Sequence, residues 1–492
     1  MISNAAETID ASAVAFTLEL CAAIERYTAS RQARRANAFH YAGADLRHAV
    51  ERVLYFALVN DDSLYRYFVS NGSSANAYRL SPLAGRIAPY LSVSRNIWRW
   101  NGLARRLVEY LPARPSFSRR AAGDDSRGNA DPPSSRANVL FFAPQPKFVR
   151  FLAPIARSCE TSSAFLCLDD AVSAAATAAG FATVEVRRRE PETRHRLPRS
   201  LAPFSGLALD YDAVLSALMH AAPRCVAIPE GNTPNAEVLN RAARRLGIPT
   251  LCVQQGWSPI VHSGFRHMTF SSMCVWGEGF AELLRPYNPE QPFVVTGDPG
   301  IDGCDVPGEA IGFFLQKGSR LITESAWRQM LRLIIDSATD FPHREIRVRE
   351  HPGAPLSPGE RAYLSGHDNI RLMPPDRCTL DATLRGCAVI VAVFSTTIVE
   401  AIAYRAVPLI VNVTGLERYS PDIAGAGAGI EVKGFDDARR ALRNLLSADG
   451  RRTCENALDA LRPRYLATLG EEAVSAIGEE IARLSYGARH QC

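Results

Sequence analysis

The sequence contains no uninterrupted apolar run that approaches the roughly 20 residues needed to cross a bilayer as a helix. Its N-terminus carries no basic segment ahead of an apolar one, so it does not match a secretory signal peptide. These two absences argue against an integral membrane protein and against a secreted one. We therefore expect a cytoplasmic protein.

The sequence also lacks cysteine motifs: none of the 11 cysteines forms a CxxC pair or follows metal-ligand spacing. Several lie inside apolar runs, among them Cys225, Cys252, Cys274 and Cys387. Such cysteines are typical of small buried side chains in a reducing compartment. The pattern indicates neither a disulfide framework nor a metal centre.

The excess of positive over negative charge is small for a chain of this length. The net charge is +5 over 492 residues, and no RNP, zinc-finger or comparable module is present. We therefore expect no nucleic-acid partner. A hydrophobic content of 47% and a charged content of 22% are those of a globular protein, and the length suits two or three domains.

Five segments follow one another along the chain. Residues 1–112 show mostly helical periodicity, and residues 113–137 are a linker rich in proline, serine and glycine. Short apolar strands alternate with helices in residues 138–308 and again in residues 309–450, whereas residues 451–492 are helical. This alternation predicts an α/β protein with two domains built on parallel, doubly wound sheets.

The helical region ends in a stretch, residues 95–110, where aromatic and apolar side chains mix with arginine. Such an amphipathic, basic stretch suits the surface of an anionic membrane. It suits equally well a surface of the catalytic core or a second subunit. Peripheral contact with the inner membrane is thus one of three expectations for this stretch.

The most informative stretch is residues 386–412, which predicts strand, turn, helix and strand. The apolar run from Cys387 to Phe394 predicts a strand buried on both faces. Ser395, Thr396 and Thr397 follow where the next helix should begin, so their hydroxyls and free backbone amides could hold a phosphate. Glu400, one helical turn further on, could reach a ribose hydroxyl. The alternative is an ordinary capped helix.

A second strand, residues 345–350, runs directly into His351 and Pro352. The carboxyl ends of parallel strands face the crevice where α/β proteins bind ligands, so His351 is a candidate donor to a phosphate or a base. The alternative is a loop histidine without a role. Gln316 and Lys317 follow a further strand, and Lys317 could neutralise a donor phosphate or simply be solvated.

The His-Pro pair followed by the Ser-Thr-Thr turn resembles the HP and S-S/T motifs of bacterial sialyltransferases and of related Kdo transferases and capsule enzymes. The resemblance covers roughly residues 138–440. It implies a GT-B fold, in which two Rossmann-like domains face a cleft, with the first domain binding the acceptor and the second the donor. It also implies that the two motifs bind the phosphate and cytidine of a CMP-sugar.

A candidate catalytic carboxylate, Glu230, lies in a Pro-Glu-Gly turn at the end of a strand. A carboxylate at this position can take a proton from an acceptor hydroxyl. The turn resembles the D/E-D/E-G motif of sialyltransferases, except that Pro229 replaces the first acidic residue. Base and nucleophile are both open roles for Glu230, and the alternative is a surface turn that caps the next helix.

Acceptor contacts are expected from the first domain, at Lys147, Gln255, His262 and Arg266. The Gln-Gln-Gly segment resembles the Q-H-G loop of capsule enzymes, but Gln255 stands where that loop has histidine. His262 is one of the nearest substitutes, and we expect it to contact the acceptor rather than to act as a base.

The function expected from these features is transfer of an acidic sugar, Kdo or a sialic acid, from a CMP-sugar to a surface polysaccharide or glycolipid. We expect no metal and no cofactor, since no DxD pair lies at a suitable strand end. Three alternatives remain open: a glycerol- or ribitol-phosphate transferase, a nucleotide-sugar epimerase of GT-B shape, and a non-catalytic partner in capsule assembly.

Overall fold

A computed structural model gives the fold of most of the chain. The residues that it describes are 10–34, 36–70, 137–186, 202–306, 308–316 and 320–487. The predicted linker and the basic, aromatic stretch of residues 95–110 lie outside them. None of the helices in the described ranges is both long and apolar enough to cross a membrane.

The N-terminal segment consists of three helices and a short hairpin. Its elements are α1 (Ala11–Arg34), β1 (His40–Tyr41), β2 (Ala44–Asp45), α2 (Arg47–Leu58) and α3 (Asp62–Ser70). Apolar residues at helical spacing on α1 and α2, such as Phe16, Leu20, Ile24 and Leu54, form a separate small core with residues of α3. The opposite face of α2 packs against the first α/β domain.

The first α/β domain contains a seven-stranded parallel sheet in the order β5-β4-β3-β6-β7-β8-β9. Its strands are β3 (Val139–Ala143), β4 (Ser163–Cys167), β5 (Ala182–Glu185), β6 (Cys225–Pro229), β7 (Thr250–Val253), β8 (Ser272–Val275) and β9 (Phe293–Val295). Its helices are α4 (Pro146–Ser158), α5 (Asp170–Ala178), α6 (Ala202–Ala221), α7 (Pro234–Arg245) and α8 (Glu278–Leu284). The central strands are buried on both faces, which is why they are continuous apolar runs.

The second α/β domain contains a six-stranded parallel sheet in the order β12-β11-β10-β13-β14-β15. Its strands are β10 (Ala310–Phe314), β11 (Ile346–Arg349), β12 (Ile370–Met373), β13 (Cys387–Ala392), β14 (Val407–Val411) and β15 (Ile430–Val432). Its helices are α9 (Glu324–Asp340), α10 (Pro358–Leu364), α11 (Leu380–Leu384), α12 (Thr397–Glu400) and α13 (Phe435–Leu445). Strand β10 therefore lies between β11 and β13, the strands that lead to the His-Pro and Ser-Thr-Thr turns.

Two long helices close the described chain, α14 (Ala448–Tyr465) and α15 (Gly470–Gly487). Helix α15 returns to the first domain and packs on α4, β6 and β7. Its residues Ile477 and Ile481 belong to the same buried cluster as Val139 and Phe148 of that domain. The core of the first domain is therefore completed by the far end of the chain.

The structure confirms the predicted α/β class, the two Rossmann-like domains and the helical N-terminal region. Some element bounds differ from the prediction. Strand β13 ends at Ala392 rather than at Phe394, because the Phe394 amide donates to the Gln316 side chain (3.1 Å) instead of to a neighbouring strand. Strand β14 begins before Pro408, where β15 does not yet pair with it, so the missing amide hydrogen is tolerated.

Candidate active site

A cavity of about 710 Å³ opens between the two α/β domains, at the carboxyl ends of their central strands. Most of the site residues predicted from the sequence line it. They are Lys147, Glu230, Gln255 and His262 from the first domain, and His351, Pro352, Ser395, Thr396, Thr397 and Glu400 from the second. The fold thus brings residues that lie far apart in the sequence to one cleft, as expected for ligand sites of open α/β sheets.

Glu230 follows directly after β6 in a left-handed backbone conformation, with a φ of 55°. Such a conformation is costly for a residue with a side chain, and it recurs at functional sites. Gly231 also has a positive φ, of 65°, and a Cβ atom there would lie 2.7 Å from the Cys252 sulfur. The turn therefore requires glycine after Glu230, and the Glu230 side chain reaches the cavity.

The surroundings of Glu230 raise the pKa of its carboxyl group. Burial is the main cause, while the charge of Lys147 and a hydrogen bond from Asn232 oppose it. A carboxylate with a raised pKa is a stronger base than an exposed one, and at neutral pH it can accept a proton more readily.

The two domains approach each other closely at Glu230. A Cβ atom on Gly256 would lie 3.5 Å from both Glu230 Oε1 and Thr396 Oγ1. Glu230 Oε1 and Thr396 Oγ1 are therefore separated by at most about twice 3.5 Å, and they lie on opposite sides of the cleft. The candidate base of the first domain thus faces the candidate phosphate turn of the second.

His351 lies at the tip of β11 and is exposed to the cavity. Its Nδ1 accepts a hydrogen bond from the Gly353 amide (3.1 Å), so the proton of the neutral ring is on Nε2. Partial burial and the charge of Lys147 lower the pKa of His351, which favours this neutral form. Nε2 is then a hydrogen-bond donor available to a ligand.

Glu350, the residue before His351, was not among the predicted site residues. Its side chain is buried, and its Oε2 accepts hydrogen bonds from the Leu356 amide (2.9 Å) and from Arg361 (2.7 Å). These bonds close the loop that carries His351. An acidic residue directly before the His-Pro pair was the only signal of this role in the sequence.

The Ser-Thr-Thr turn differs from the predicted phosphate cradle. Helix α12 has only four residues and continues as a 3-10 turn, Ala401–Tyr404, so a helix dipole contributes little at this turn. The Thr396 hydroxyl already bonds across the cleft, accepting from the Trp257 amide (3.0 Å) and donating to its carbonyl (3.2 Å). Among the described residues, the Ser395 and Thr396 amides have no acceptor, and the buried Thr397 hydroxyl has no partner.

Glu400 lies on the floor of the cavity and is buried. Burial and the nearby Asp298 carboxylate raise its pKa well above the usual range. Asp298 is also buried, and burial raises its pKa to about 7. Each of the two carboxyl groups has one oxygen without a partner in the described part of the chain. Asp298 was missed because nothing near it in the sequence marks its proximity to Glu400.

His262 lines the cavity from the first domain as a neutral side chain. Burial and the charges of Arg52 and Arg266 lower its pKa to about 3. Its Nδ1 accepts from the Gly264 amide (3.1 Å), which leaves Nε2 as a donor. A group with so low a pKa is a poor base at neutral pH, and its contact with an acceptor stays a prediction.

Three predicted site residues are not among those that line the cavity. Arg266 pairs with Glu25 (3.0 Å) of the N-terminal segment, so its guanidinium is already neutralised by another carboxylate. Gln316 supports the Ser-Thr-Thr turn through the Phe394 amide rather than facing the cavity. Lys317 lies outside the described residues.

Comparisons with known proteins support the fold. No protein-family model matches the sequence, and no curated protein matches it. A solved structure from Listeria monocytogenes, named provisionally as a UDP-N-acetylglucosamine 2-epimerase, is 15% identical, with a TM-score of 0.50 over 70% of this chain and 97% of that one.

Two further solved structures cover similar shares of the chain. The UDP-GlcNAc 2-epimerase from Neisseria meningitidis, bound to UDP-GlcNAc, is 12% identical, with a TM-score of 0.47 over 70% of this chain and 98% of that one. A glycosyltransferase from Rickettsia africae is 10% identical, with a TM-score of 0.44 over 71% and 98%. None of these three names refers to a CMP-sugar. With its two facing Rossmann-like domains, the chain has a GT-B-like fold.

Proposed function

We propose that this protein is a glycosyltransferase that uses a nucleotide-sugar donor. The observation that carries the proposal is the position of the Glu230 carboxylate, which faces the Ser-Thr-Thr turn of the second domain across the cleft. A transferase needs a base beside the acceptor and hydrogen-bond donors beside the leaving phosphate, and the two sides of this cavity supply them.

The proposed reaction uses residues of both domains. Glu230 takes the proton of an acceptor hydroxyl as that oxygen bonds to the anomeric carbon of the donor sugar. The bond between the anomeric carbon and the phosphate oxygen breaks, and the electron pair leaves with the nucleotide. His351 Nε2 and the amides of Ser395 and Thr396, which have no acceptor among the described residues, donate to the phosphate oxygens, where negative charge builds up.

The donor that we propose is a CMP-activated acidic sugar, Kdo or a sialic acid, and the acceptor is a surface polysaccharide or glycolipid. The support for this donor is the order of the His-Pro and Ser-Thr-Thr motifs. The two motifs follow strands on either side of β10 and line the same cavity. The single phosphate of a CMP-sugar also suits a site with a few uncharged hydrogen-bond donors. We propose further that transfer requires no metal, which activity in excess EDTA tests directly.

A nucleotide-sugar 2-epimerase is the second candidate. The observation in its favour is the likeness of fold to the Listeria monocytogenes structure named for that activity. An epimerase must remove a proton from one face of a carbon and return it on the other. Glu230 and His351 extend into the cavity from opposite domains and could serve as such a pair.

Calorimetric titration of the protein with CMP, CDP, UDP and GDP tests the donor proposal. We expect CMP to bind most tightly, because the site offers donors for one phosphate. Glu230→Gln, which is isosteric and lies on the acceptor side, should bind CMP as the unaltered protein does. Tighter binding of UDP than of CMP would contradict the CMP assignment.

Product analysis separates transfer from epimerisation. The unaltered protein is incubated with CMP-Kdo, CMP-sialic acid or UDP-GlcNAc, each with and without a glycan acceptor. We expect release of CMP that depends on the acceptor and is lost in Glu230→Gln. Conversion of UDP-GlcNAc to its 2-epimer without an acceptor would favour the second candidate.

A further inference from the structure

Helix α2 of the N-terminal segment packs directly behind the acceptor side of the cavity. It contacts α7 and the 3-10 turn Ser263–Phe265 of the first domain. Arg52 and Tyr55 are three residues apart on α2 and therefore share one face of the helix. Each of them contacts a different part of the candidate site.

Arg52 is fully buried and binds the backbone of the Glu230 turn. Its Nη1 donates to the Gly231 carbonyl (2.8 Å) and to the Thr233 carbonyl (3.3 Å). Its Nη2 lies 3.2 Å from Oε2 of Glu237, which is fully buried on α7. The charges of Arg52 and Arg241 lower the pKa of Glu237 to about 2, so the ion pair persists across the physiological range.

These contacts bear on the geometry of the candidate base. Glu230 and Gly231 are both in left-handed conformations, which persist only where the surrounding structure holds them. A planar guanidinium, fixed by a buried carboxylate, gives two turn carbonyls a rigid donor. The Arg52 side chain thus acts on Glu230 through the backbone and does not touch the cavity itself.

Tyr55 supports the second residue on the acceptor side, His262. The two rings stack at a centroid distance of 4.7 Å with their planes 3° apart. The stack orients the imidazole so that its Nδ1 accepts from Gly264 and its Nε2 remains free for a ligand. The tyrosine hydroxyl is not needed for this contact.

We propose that α2 is a positioning element of the active site, in which Arg52 sets the Glu230 turn and Tyr55 sets the His262 ring. The N-terminal segment is then part of the catalytic unit rather than a separate appendage. This inference rests on the proposed transferase function, in which Glu230 is the base and His262 contacts the acceptor.

The first test replaces the buried ion pair by apolar side chains of similar size, in Arg52→Met combined with Glu237→Met. Such replacements usually preserve folding because the charges of Arg52 and Glu237 are removed together, while Arg241, the other partner of Glu237, keeps the favourable charges of Asp45 and Glu51. We expect kcat to fall by about 10²-fold, the usual effect of a small misplacement of a catalytic group, with an unchanged KM for the donor. Arg52→Lys, which keeps the charge beside Glu237, should also lower kcat.

Arg241→Gln is the matched control, because Arg241 also pairs with Glu237 (2.6 Å) but makes no bond to the Glu230 turn. We expect its kcat to equal that of the unaltered protein. A folded double variant with normal kcat would overturn the role of Arg52. So would a loss of kcat in Arg241→Gln equal to that in the double variant.

Hydrogen exchange at the amides of residues 230–233 gives a readout that does not depend on activity. We expect faster exchange there in the double variant and no change in Arg241→Gln. Unchanged exchange in the double variant would refute the positioning role even if no transfer is found. If the unaltered protein transfers no sugar while exchange responds as expected, the proposed function fails and the structural role of Arg52 stands.

Tyr55 is tested by Tyr55→Leu and Tyr55→Phe. The leucine variant loses the ring stack, so we expect a raised KM for the acceptor and an unchanged KM for the donor. The phenylalanine variant keeps the stack and should restore the acceptor KM. A normal acceptor KM in Tyr55→Leu would remove Tyr55 from the proposal.

Discussion

Glu230 combines two properties that oppose stability, a left-handed backbone and a carboxyl group whose burial raises its pKa. The charge of Lys147 on α4 partly offsets the second of these. Because only the ionised form can accept a proton, the rate of transfer should follow the titration of Glu230. Lys147 should therefore set the lower end of the working pH range.

Replacing Lys147 by methionine tests this coupling. Without the positive charge the pKa of Glu230 rises further, so the acid limb of kcat/KM should move to higher pH. The measurement is the pH profile of kcat/KM in both proteins. Arg150→Met removes an exposed charge from the same helix outside the cavity and should leave the limb in place. An identical limb in Lys147→Met would show that Glu230 is not the titrating base.

Asp298 provides a prediction about stability. Its pKa is about 7 in the folded protein and near 3.9 in an unfolded chain. Between these values the folded state binds more protons, so this group makes the free energy of unfolding fall as pH rises from about 4 to about 7. Above pH 7 the full cost of the buried charge is present.

Asp298→Asn should therefore stabilise the protein more at high pH than at low pH. We expect a gain in the free energy of unfolding of about 1.5 kcal/mol at pH 5, where an unfolded Asp is already ionised, and of up to about 4 kcal/mol at pH 8, since one pKa unit corresponds to about 1.4 kcal/mol. Urea unfolding at both pH values measures it. An equal effect at pH 5 and pH 8 would mean that Asp298 is already ionised at pH 5.

At the scale of elements, the loop that carries His351 depends on Glu350, the residue directly after β11. The Glu350 carboxylate closes the loop of residues 351–356, and its partner Arg361 belongs to α10. Loss of both bonds should free His351 from the position in which it faces the cavity. The His-Pro pair alone does not explain how the imidazole is held.

Glu350→Ala should therefore weaken nucleotide binding. A hydrogen bond to a charged group contributes about 1.5 to 3 kcal/mol, so we expect CMP affinity to fall by about tenfold or more. Calorimetry measures this affinity directly. Glu345→Ala, at the opposite end of the strand, is the control and should bind CMP normally. Equal affinity in both variants would exclude a positioning role for Glu350.

The sequence predicted elements well where the signal was local. Continuous apolar runs marked β6 and β13, and the residues that end them lie in the cavity as their strand positions suggested. The sequence predicts a helix from the Ser-Thr-Thr turn to about Arg405, and the helical residues do end there. The change from α-helix to a 3-10 turn after Glu400 could not be predicted, because it depends on packing within the second domain rather than on its own residues.

At the scale of the whole molecule, hydrogen bonds join the two α/β domains across the cleft. The Thr396 hydroxyl bonds to the backbone of Trp257, and the Trp257 indole donates to the Ser420 carbonyl (2.6 Å). Arg320 of the second domain also pairs with Asp62 (3.0 Å) of the N-terminal segment. These contacts hold the two α/β domains and the N-terminal segment together.

Combining Thr396→Val with Trp257→Phe removes the bonds made by both side chains; valine matches the volume of threonine, and phenylalanine keeps an aromatic ring at position 257. We expect a larger radius of gyration without ligand, measured by small-angle X-ray scattering. Tyr419→Phe loses a bond to the Ser395 carbonyl within the second domain and should leave the radius unchanged. An unchanged radius in the double variant would show that other contacts keep the domains together.

The contacts that complete the site join residues far apart in the chain, and for that reason no local pattern revealed them. Arg52 reaches the Glu230 turn from the N-terminal segment, and Asp298 approaches Glu400 from the first domain. Arg52 and Asp298 have no distinctive sequence around them, although Glu230 and Glu400 do. Only the packing of whole domains brings them together.

Helix α15 has a consequence for synthesis of the protein. Its residues Ile477 and Ile481 fill the core of the first domain, whose strands are made much earlier. During synthesis, the apolar core of the first domain therefore remains partly exposed until residues 470–487 have left the ribosome. A chain that stops short of α15 would expose an apolar groove on an otherwise finished sheet, which is a natural target for chaperones.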